Sequence, residues 1–321
     1  MALNLVTGGG GFIGSHIVER LLSEGQDVRV VDNFSTGRRE NLEFSAAAPH
    51  WGRLEVLPGD ITDMDLVRRA VNGAEFVFHQ AAIPSVPRSV ADPGASNEAN
   101  VTGTLNLLIA SRDAKVRRFV YASSSSVYGE SPTLPKIETM PPEPLSPYAI
   151  SKLTGELYAR AFHRLYGLPT VGLRYFNIFG PRQDPGSEYA AVVPKFITAI
   201  ARGESPTIFG DGEQTRDFTY IDNAVQANLL ASRSSEAAHG GSYNIACGRR
   251  VSLLELVAMI GKTLGSRPGS EPRPKHAPPR AGDVRHSLAD ISSASEKLGY
   301  KPLVGLEDGL AATAAWFIKK P

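Results

Sequence analysis

The sequence is poor in cysteine, in net charge and in long apolar runs. Its 321 residues include one cysteine, Cys247, which excludes an intrachain disulfide and which we expect to be a small buried side chain. Lysine and arginine number 34 against 33 acidic residues, so no global field favours nucleic acid or a membrane surface. No apolar run approaches the ~20 residues of a membrane span, and no signal peptide is recognised. These absences favour a cytoplasmic protein without nucleic-acid or membrane partners.

A glycine-rich turn near the N-terminus is the first feature that carries chemistry. The apolar run Leu3–Val6 predicts a buried strand, and residues 15–22 have helical periodicity. Between them stand Gly8, Gly11 and Gly14. Gly8 permits a tight turn, Gly11 lets a phosphate approach the backbone, and Gly14 lets the helix pack close to the strand. We therefore predict that a pyrophosphate binds at the helix N-terminus.

An acid follows the second predicted strand, Val28–Val31. Asp32 stands 18 residues after Gly14, where a carboxylate can bind a ribose hydroxyl and would repel a 2′-phosphate. The cofactor is therefore predicted to be NAD rather than NADP. Arg38 and Arg39 lie nearby and keep NADP open as an alternative.

Two later predicted strands also end in residues that suit a cofactor crevice. Leu54–Leu57 leads to Asp60, which could accept a hydrogen bond from an adenine amino group, and Phe76–His79 leads to the small side chains of Ala81 and Ala82. Ligands of open α/β sheets bind outside the carboxyl ends of the strands. The alternation of strand and helix predicts an α/β fold with a doubly wound parallel sheet.

A predicted helix in the middle of the chain carries a candidate general base. Ser146 suits the N-cap and Pro147 the first helical position, so Tyr148 and Lys152 fall on one face, four residues apart. A free phenol titrates at about pH 10, and an adjacent ammonium favours the phenolate and lowers the pKa. The preceding strand, residues 118–122, ends in four serines, one of which can stabilise charge on a substrate oxygen.

The order of these motifs resembles the extended short-chain dehydrogenase/reductases, within the nucleotide-sugar epimerase group. The resemblance covers nearly the whole chain and is carried by Thr7–Gly14, Asp32-Asn33, Gly59–Ile61, His79–Ala82, Ser124–Gly129, Tyr148–Lys152, Leu173–Asn177, Gly210–Gly212, Arg216-Asp217 and Arg280–Asp283. It implies a Rossmann-type doubly wound parallel sheet with a smaller α/β substrate-binding domain. Residues 1–175 and 215–248 would form the NAD-binding domain, and residues 176–214 and 249–321 the nucleotide-sugar-binding domain.

The resemblance also implies roles for individual residues. The catalytic set would be Ser124, Tyr148 and Lys152, with Ser123 and Ser125 able to substitute partly for Ser124. Cofactor contacts would come from Gly8, Gly11, Phe12, Ile13, Gly14, Asp32, Asn33, Ser35, Thr36, Gly37, Asp60, Ile61, Gln80, Ala81, Ala82, Tyr148, Lys152 and Tyr175. Substrate contacts would come from Ser85, Ser124, Ser125, Tyr148, Asn177, Gln183, Ala191, Val192, Lys195, Phe209, Arg216, Arg280, Asp283 and Ser287. No metal site is implied.

Four residues of the implied substrate site have assigned partners. Arg216 and Arg280 would hold the diphosphate, for which a guanidinium is well suited. Asp283 would accept a hydrogen bond from a uridine ribose hydroxyl, and Phe209 would lie near the uracil.

The two residues after Ser124 bear on the type of reaction. Dehydratases and decarboxylases of this family place an acid there, whereas this chain has Ser125 and Ser126. The resemblance therefore implies an isomerase, an NAD-dependent UDP-sugar 4-epimerase. In such an enzyme Tyr148 would take the proton from the sugar O4 while hydride passes from C4 to NAD. The 4-keto sugar then rotates, the hydride returns to its other face, and NAD is regenerated in each turnover.

A small residue at position 287 bears on the substrate. Similar epimerases restricted to UDP-glucose and UDP-galactose carry a tyrosine there, whereas Ser287 leaves space for an N-acetyl group on C2. Residues 85–89 and 182–185 also look like those of epimerases that prefer N-acetylated UDP-hexosamines. We therefore predict UDP-GlcNAc and UDP-GalNAc as substrates.

Three alternatives to this function stay open. A UDP-glucose/UDP-galactose 4-epimerase would share the mechanism. A UDP-uronate 4-epimerase would want a cation near the sugar carboxylate, for which Arg88 or Arg182 could serve. A catalytically silent NAD-binding regulator is of a different class, and it would not need Ser124, Tyr148 and Lys152 together.

Two predicted helices, around residues 98–112 and 149–166, have apolar stripes. The stripes consist of Val101, Leu105, Leu108 and Ile109 and of Leu153, Leu157, Ala161 and Leu165. The simplest interpretation is that both stripes are core. Relatives commonly pair these helices in a four-helix interface, so the resemblance implies a homodimer.

Overall fold

The strands of the protein were located in a computed structural model, which describes residues 2–44, 51–186, 192–267, 271–279 and 284–319. In chain order they are β1 (Leu3–Thr7), β2 (Asp27–Asp32), β3 (Leu54–Pro58), β4 (Phe76–His79), β5 (Arg118–Ser124), β6 (Thr170–Tyr175), β7 (Ile178–Phe179), β8 (Thr207–Phe209), β9 (Thr215–Asp217), β10 (Thr219–Tyr220), β11 (Ser242–Ile245), β12 (Arg250–Ser252) and β13 (Lys275–Ala277).

The helices alternate with the strands over the first half of the chain. They are α1 (Phe12–Ser23), α2 (Met64–Val71), α3 (Val86–Ala91), α4 (Pro93–Asn97), α5 (Gly103–Asp113), α6 (Pro147–Tyr166), α7 (Val192–Ala201), α8 (Ile221–Ser232), α9 (Leu253–Thr263), α10 (Ser292–Leu298) and α11 (Leu306–Lys319). A π-helical turn, Glu98–Thr102, leads directly into α5. Every helix within the described ranges is too short or too polar to traverse a lipid bilayer.

One parallel sheet of seven strands organises the fold. Its spatial order is β3-β2-β1-β4-β5-β6-β11, and each neighbouring pair is parallel. The order reverses between β1 and β4, so the chain leaves these two strands in opposite directions. A crevice forms at such a switch point, outside the carboxyl ends of the strands. The predicted doubly wound α/β fold is confirmed, and it places Thr7 and His79 at the crevice.

Two helical layers cover the faces of this sheet. Successive residues of a strand point to opposite faces, so Val6 packs into one core with α1 and α8, while Leu5 packs into another with α2 and α5. Both side chains are fully buried, and each such burial stabilises the fold by roughly 1.5–3 kcal/mol. Strands buried on both faces explain the short, continuous apolar runs of the sequence.

The apolar stripe of α6 does not lie in the core as predicted. Leu157 and Leu165 are 52% and 73% exposed. The helix comes closest to β5 at Gly155, where a Cβ would overlap the Tyr121 hydroxyl. Ala159 is buried on the same face. The core interpretation is therefore wrong for Leu157 and Leu165, which form an outward apolar face.

Three two-stranded pairings lie outside the main sheet. β10 pairs with β7, β12 with β9 and β13 with β8. β11 joins the main sheet beside β6, although it follows β7–β10 in the chain. The assignment of residues 176–214 and 249–321 to a substrate domain stays a prediction.

Candidate active site

The glycine-rich turn between β1 and α1 has the geometry of a phosphate cradle. Gly8 has a φ of 70°, in the left-handed region that favours glycine. A Cβ at Gly14 would overlap the Gly8 carbonyl oxygen, whereas a Cβ at Gly11 would meet only that oxygen, at 3.1 Å. Among the described residues no side chain caps the N-terminus of α1. The turn therefore fits a pyrophosphate, whose oxygens would accept hydrogen bonds from backbone N–H groups.

Asp32, the last residue of β2, is bonded to this turn. Its Oδ2 accepts a hydrogen bond from the Gly10 N–H at 2.8 Å, and its Oδ1 accepts one from the Phe34 N–H at 2.7 Å. Burial raises the pKa of Asp32 above its usual value, and the two N–H donors oppose that rise. The carboxylate is thus held at the rim of the phosphate cradle, where a ribose hydroxyl would lie.

The residues after Asp32 fold back over the turn. Asn33 donates to Oδ2 of Asp60 at 2.7 Å. Residues 35–37 follow, and a Cβ at Gly37 would lie 2.7 Å from the Gly10 carbonyl carbon. The predicted adenosine contacts Asp32 and Asp60, which are 28 residues apart in sequence, are therefore brought to one edge of the sheet.

Both arginines that left NADP open have partners at the surface. An Nη atom of Arg38 lies 3.1 Å from a carboxylate oxygen of Asp184. The Arg39 guanidinium lies 4.3 Å from the centroid of the Phe34 ring. Because both guanidinium groups already contact other side chains, the structure favours NAD over NADP as the cofactor.

A triangle of buried amide and phenol groups lies beyond β4. Gln80 donates to Oδ1 of Asn228 at 3.1 Å, Asn228 donates to the Tyr175 hydroxyl at 2.7 Å, and that hydroxyl donates to Oε1 of Gln80 at 3.4 Å. Burial raises the pKa of Tyr175 to about 12, so the phenol stays protonated. Sequence reasoning missed Asn228, which is fully buried in α8.

The remaining predicted cofactor residues surround this edge. Phe12 and Ile13 open α1, Ile61 packs against Gly103 of α5, and Ala81 and Ala82 follow β4. Ser35 and Thr36 are exposed in the loop that follows Asp32. All of them follow the carboxyl ends of β1, β2, β3 or β4.

The structure brings Ser124, Tyr148 and Lys152 together. The Ser146 hydroxyl accepts from the Ala149 N–H at 3.1 Å, so the predicted cap of α6 is confirmed. Lys152 donates through Nζ to the Ala122 carbonyl oxygen at 2.8 Å, and this Nζ lies 6.0 Å from the Tyr148 ring centroid. Ser124 and Tyr148 share a side-chain hydrogen bond.

Burial dominates the titration of these groups. It raises the pKa of Tyr148, and the hydrogen bond with Ser124 opposes that rise. It lowers the pKa of Lys152 to about 8. The predicted lowering of the Tyr148 pKa is therefore wrong for the protein alone, because removing a phenolate from water outweighs the nearby ammonium. Lys152 still carries its charge at neutral pH and can stabilise a phenolate formed in the reaction.

Only one of the flanking serines is available beside Tyr148. The Ser123 hydroxyl donates to the Glu156 carboxylate and is buried, so the prediction that it could substitute for Ser124 is wrong. Glu156 also receives Arg174 in a two-pronged contact of 2.9 and 2.7 Å. Ser125 remains half-buried next to Ser124. Sequence reasoning missed Glu156, although it stands one helical turn after Lys152.

Two further residues missed from the sequence attach the loop after β4 to α6. The Ser89 hydroxyl accepts from the Tyr148 N–H at 3.0 Å and donates to the Val86 carbonyl oxygen at 2.7 Å. The Asn100 side chain accepts from the Ile83 N–H at 2.7 Å and donates to the Ser151 hydroxyl at 3.0 Å. Ser85, between these contacts, has a φ of 93°. The predicted sugar contact Ser85 is thus fixed relative to Tyr148.

The predicted substrate residues come from separate parts of the chain. Asn177 donates to the Asp217 carbonyl oxygen at 3.1 Å, and Gln183 donates to the Ile178 carbonyl oxygen at 3.1 Å. Val192 and Lys195 are on α7, and Phe209 ends β8. Ala191, Arg280 and Asp283 lie outside the described residues.

Arg216 and Ser287 meet across adjacent chain segments. An Nη atom of Arg216 donates to the carbonyl oxygens of Thr215 and Arg285 at 3.0 and 3.1 Å. The Ser287 N–H donates to the Thr215 carbonyl oxygen at 3.0 Å. The predicted diphosphate residue and the predicted determinant of sugar specificity are therefore bonded to the same peptide group.

A cavity of about 640 Å³ lies elsewhere, between β12, α9 and α11. No predicted site residue is among those that line it. Its two acids are engaged, Glu307 with Arg249 at 2.9 Å and Glu255 with the Ser252 N–H at 2.7 Å. We place the site at the carboxyl edge of the sheet, where the chemically suited groups converge.

Comparisons with known proteins agree with this geometry. The profile of the NAD dependent epimerase/dehydratase family matches residues 4–246. The UDP-glucose 4-epimerase of Mycolicibacterium smegmatis is 41% identical over 318 residues, 98% of this chain and 98% of that protein. A UDP-N-acetylglucosamine 4-epimerase from Methanobrevibacter ruminantium M1, solved with UDP-N-acetylmuramic acid, is 43% identical with a TM-score of 0.92 and coverages of 100% and 99%. A UDP-glucose 4-epimerase from Thermotoga maritima, solved with UDP-glucose, is 40% identical with a TM-score of 0.90, and 99% of each chain is covered.

Proposed function

The chain belongs to the NAD dependent epimerase/dehydratase family, and from that premise we propose that it interconverts UDP-GlcNAc and UDP-GalNAc by inverting C4. The family, together with the Ser124, Tyr148 and Lys152 cluster, makes it an NAD-dependent isomerase. The choice of sugar is carried by the small side chain of Ser287. The Methanobrevibacter relative, whose name specifies UDP-N-acetylglucosamine, supports that choice.

The residues at the sheet edge fit NAD. The glycine turn of Gly8, Gly11 and Gly14 would hold the pyrophosphate, Asp32 the adenosine ribose, and Asp60 the adenine amino group. When bound, NAD accepts a hydride from the sugar carbon and gives it back. Tyr175 and Gln80, whose side chains are locked by Asn228, would close the end of this crevice nearest to Tyr148.

Tyr148 supplies the proton transfer. Its hydroxyl oxygen would take the proton from the sugar O4 in the first half of the reaction and return it in the second. Ser124, already hydrogen-bonded to Tyr148, would donate to the same sugar oxygen. Lys152 would stabilise the phenolate through its ammonium, since Nζ is held by the Ala122 carbonyl oxygen at 2.8 Å. Inversion also requires room for the sugar to rotate, and the small side chains of Ser85 and Ser287 would provide it.

Specific observations bear on the two alternative substrate classes. The names of the Mycolicibacterium and Thermotoga relatives favour UDP-glucose and UDP-galactose. A UDP-uronate would need a cation, but Arg182 forms an ion pair with Glu19 and donates to the Ser15 hydroxyl. Arg88 is the cation left for that alternative.

The decisive experiment compares UDP-GlcNAc with UDP-Glc in the absence of added cofactor, with the products read by NMR of the anomeric protons. We expect UDP-GalNAc to form with a clearly higher kcat/KM than UDP-Gal. Ser287→Tyr should lower kcat/KM for UDP-GlcNAc by roughly 10- to 100-fold through steric overlap, while UDP-Glc is spared. Ser292→Tyr, the same change at an exposed position nearby, is the control. Efficient conversion of UDP-Glc alone by the native enzyme would reject the N-acetyl assignment.

We also propose a homodimer, which forms through the outward face of α6. Ile150, Leu157 and Leu165 are 53%, 52% and 73% exposed along that helix. Burying them against a second copy would remove apolar surface from water. Leu157→Glu should give a monomer in sedimentation velocity, whereas Leu303→Glu, at a 69% exposed leucine outside α6, should not. A native monomer at micromolar concentration would reject this interface.

The cytoplasmic location also stays a prediction.

A further inference from the structure

The strand that carries Arg216 lies between two other chain segments. On one side β9 pairs antiparallel with β12, with Arg216 opposite Val251. On the other side the Thr215 N–H donates to the Arg285 carbonyl oxygen at 3.0 Å, and the Ser287 N–H donates to the Thr215 carbonyl oxygen at 3.0 Å. β9 is therefore held between β12 and the segment of residues 285–287.

The last residue of β9, Asp217, bonds both neighbours through its carboxylate. Oδ1 accepts from the Cys247 N–H at 3.0 Å, and Oδ2 accepts from the Gly248 N–H at 3.0 Å and the Ala289 N–H at 3.3 Å. The Arg249 N–H is a further donor. The side chain is fully buried. One acid thus holds the segment that leads into β12 and the segment that follows Ser287.

The main chain of Asp217 holds a third segment. Its carbonyl oxygen accepts from the Asn177 side chain at 3.1 Å, where Asn177 has a φ of 40° just after β6. Three predicted substrate residues, Asn177, Arg216 and Ser287, therefore meet through Asp217. They stand more than a hundred residues apart along the chain from first to last.

We propose that Asp217 is the positioning residue of the UDP-sugar site, which sets the mutual placement of Asn177, Arg216 and Ser287. Asp217 acts through these residues and does not contact the sugar. The inference rests on the proposed function, because it takes those three residues to be substrate contacts. Burial raises the pKa of Asp217 to about 6 while the N–H donors oppose that rise. Near pH 7.5 the group is therefore largely ionised and presents acceptors to all its donors.

Asp217→Asn tests the role of the carboxylate at nearly constant shape. The amide replaces one acceptor by a donor, so at least one of the buried N–H groups of Cys247, Gly248 and Ala289 loses its partner. We expect the KM for the UDP-sugar and the Kd for UDP, measured by calorimetry, to rise about tenfold. The kcat and the bound NAD content should stay within about threefold, because Tyr148, Lys152 and the glycine turn are not attached to Asp217.

Asp290→Asn is the matched control. Asp290 also accepts a backbone N–H, from Ser292 at 2.7 Å, and it lies in the same segment as Ala289. Its change should leave KM and the UDP affinity unaltered. Asp217→Glu keeps the charge and both acceptors and displaces them by one methylene. It should raise KM in the same way and replaces the asparagine variant if that one does not fold.

The outcomes separate this inference from the sugar assignment. UDP binding does not depend on which sugar is turned over, so it reports on Arg216 even if UDP-GlcNAc is not a substrate. A folded Asp217→Asn or Asp217→Glu protein with native KM and native UDP affinity would overturn the inference. Equal losses in kcat, NAD content and UDP affinity would also overturn it, because they would mark Asp217 as a general stabiliser of the fold.

Discussion

The proposed cofactor side and the proposed sugar side of the crevice are built in different ways. On the cofactor side, the glycine turn, Asp32 and Asp60 follow three strands of one sheet, and the register of that sheet sets their separation. On the sugar side, Asn177, Arg216 and Ser287 come from short strands and loops, and hydrogen bonds to the peptide groups and carboxylate of β9 set their separation.

The difference teaches where each kind of change should act. A substitution in the glycine turn changes a rigid edge of the sheet, so it should lower both the stability of the fold and the affinity for NAD. A substitution on the sugar side should leave the sheet intact and change only the affinity and the specificity for the UDP-sugar. Tyr148 lies between the two sides, because α6 packs on β5 and the Tyr148 N–H donates to the Ser89 hydroxyl of α3.

The largest effect is expected at this meeting point. Tyr148→Phe removes the hydroxyl that would take the proton from the sugar O4, so kcat should fall by about 10³-fold. NAD content and UDP affinity should stay near native, because neither side of the crevice is disturbed. The measurement is single-substrate NMR kinetics, with Tyr158→Phe on the same helix as control. Native turnover by the phenylalanine variant would show that the protein acts by another base. The absence of turnover from the native protein as well would favour the silent regulator.

The next effect distinguishes two glycines of the same turn. Gly14→Ala places a methyl group into the Gly8 carbonyl oxygen, so it should lower the free energy of unfolding by about 3 kcal/mol and abolish NAD retention. Gly11→Ala meets only that oxygen, at 3.1 Å, and should fold while binding NAD more weakly. Thermal unfolding and the absorbance of released cofactor measure both. Equal stability of the two variants would contradict the close packing of α1 on β1.

The same contrast explains how much the sequence could predict. The glycine turn, the acid after β2 and the capped helix of Tyr148 are local patterns with a fixed spacing, and β4 was predicted with its observed bounds, Phe76–His79. The alternation of strand and helix predicted a parallel, doubly wound sheet, although it did not predict the order of the strands. Each of these depends on interactions between residues near in sequence or on a rule about parallel strands.

Other features depend on contacts that no local pattern encodes. Asn228, Glu156 and Asp217 are polar residues that look like surface positions, and only the tertiary fold shows that they are buried with distant partners. The direction of the Tyr148 pKa is likewise set by burial. Leu157 was assigned to the core because periodicity identifies an apolar face without saying what covers it.

The smallest effect is a loss of stability in acid. It is expected from two buried histidines, His79 within the cofactor side and His16 at its border. His79 is buried between Thr7 and Thr104, at 2.8 Å from each hydroxyl. Thr104 donates its proton to the Asn100 carbonyl oxygen at 2.6 Å, so it accepts from Nε2–H of His79, and Nδ1 is left as an acceptor for Thr7. A second proton on the ring would break that contact.

Burial lowers the pKa of His79 to about 3 and that of His16 to about 4. Nε2 of His16 lies 3.0 Å from the Pro181 carbonyl oxygen, in the loop that leads to the sugar side. Both rings are neutral when folded and take up a proton at about pH 6.5 when unfolded. The stabilisation is therefore complete above pH 6.5 and is lost as the pH falls towards the folded values. Each histidine should contribute a slope approaching about 1.4 kcal/mol per pH unit.

Urea unfolding between pH 7 and pH 4.5 measures these slopes. His79→Gln should reduce the slope of the unfolding free energy against pH. It should also lower stability at neutral pH, because it disturbs the sheet edge. His16→Gln should also reduce this slope, with a smaller loss of stability at neutral pH, since it breaks one contact, with the Pro181 carbonyl oxygen. His276→Gln, at an exposed histidine, is the control. If both variants kept the native slope, the acid loss would come from carboxylates whose pKa is lowered on folding, such as Asp27 beside Arg53. The contrast between the two histidines would then lose its support.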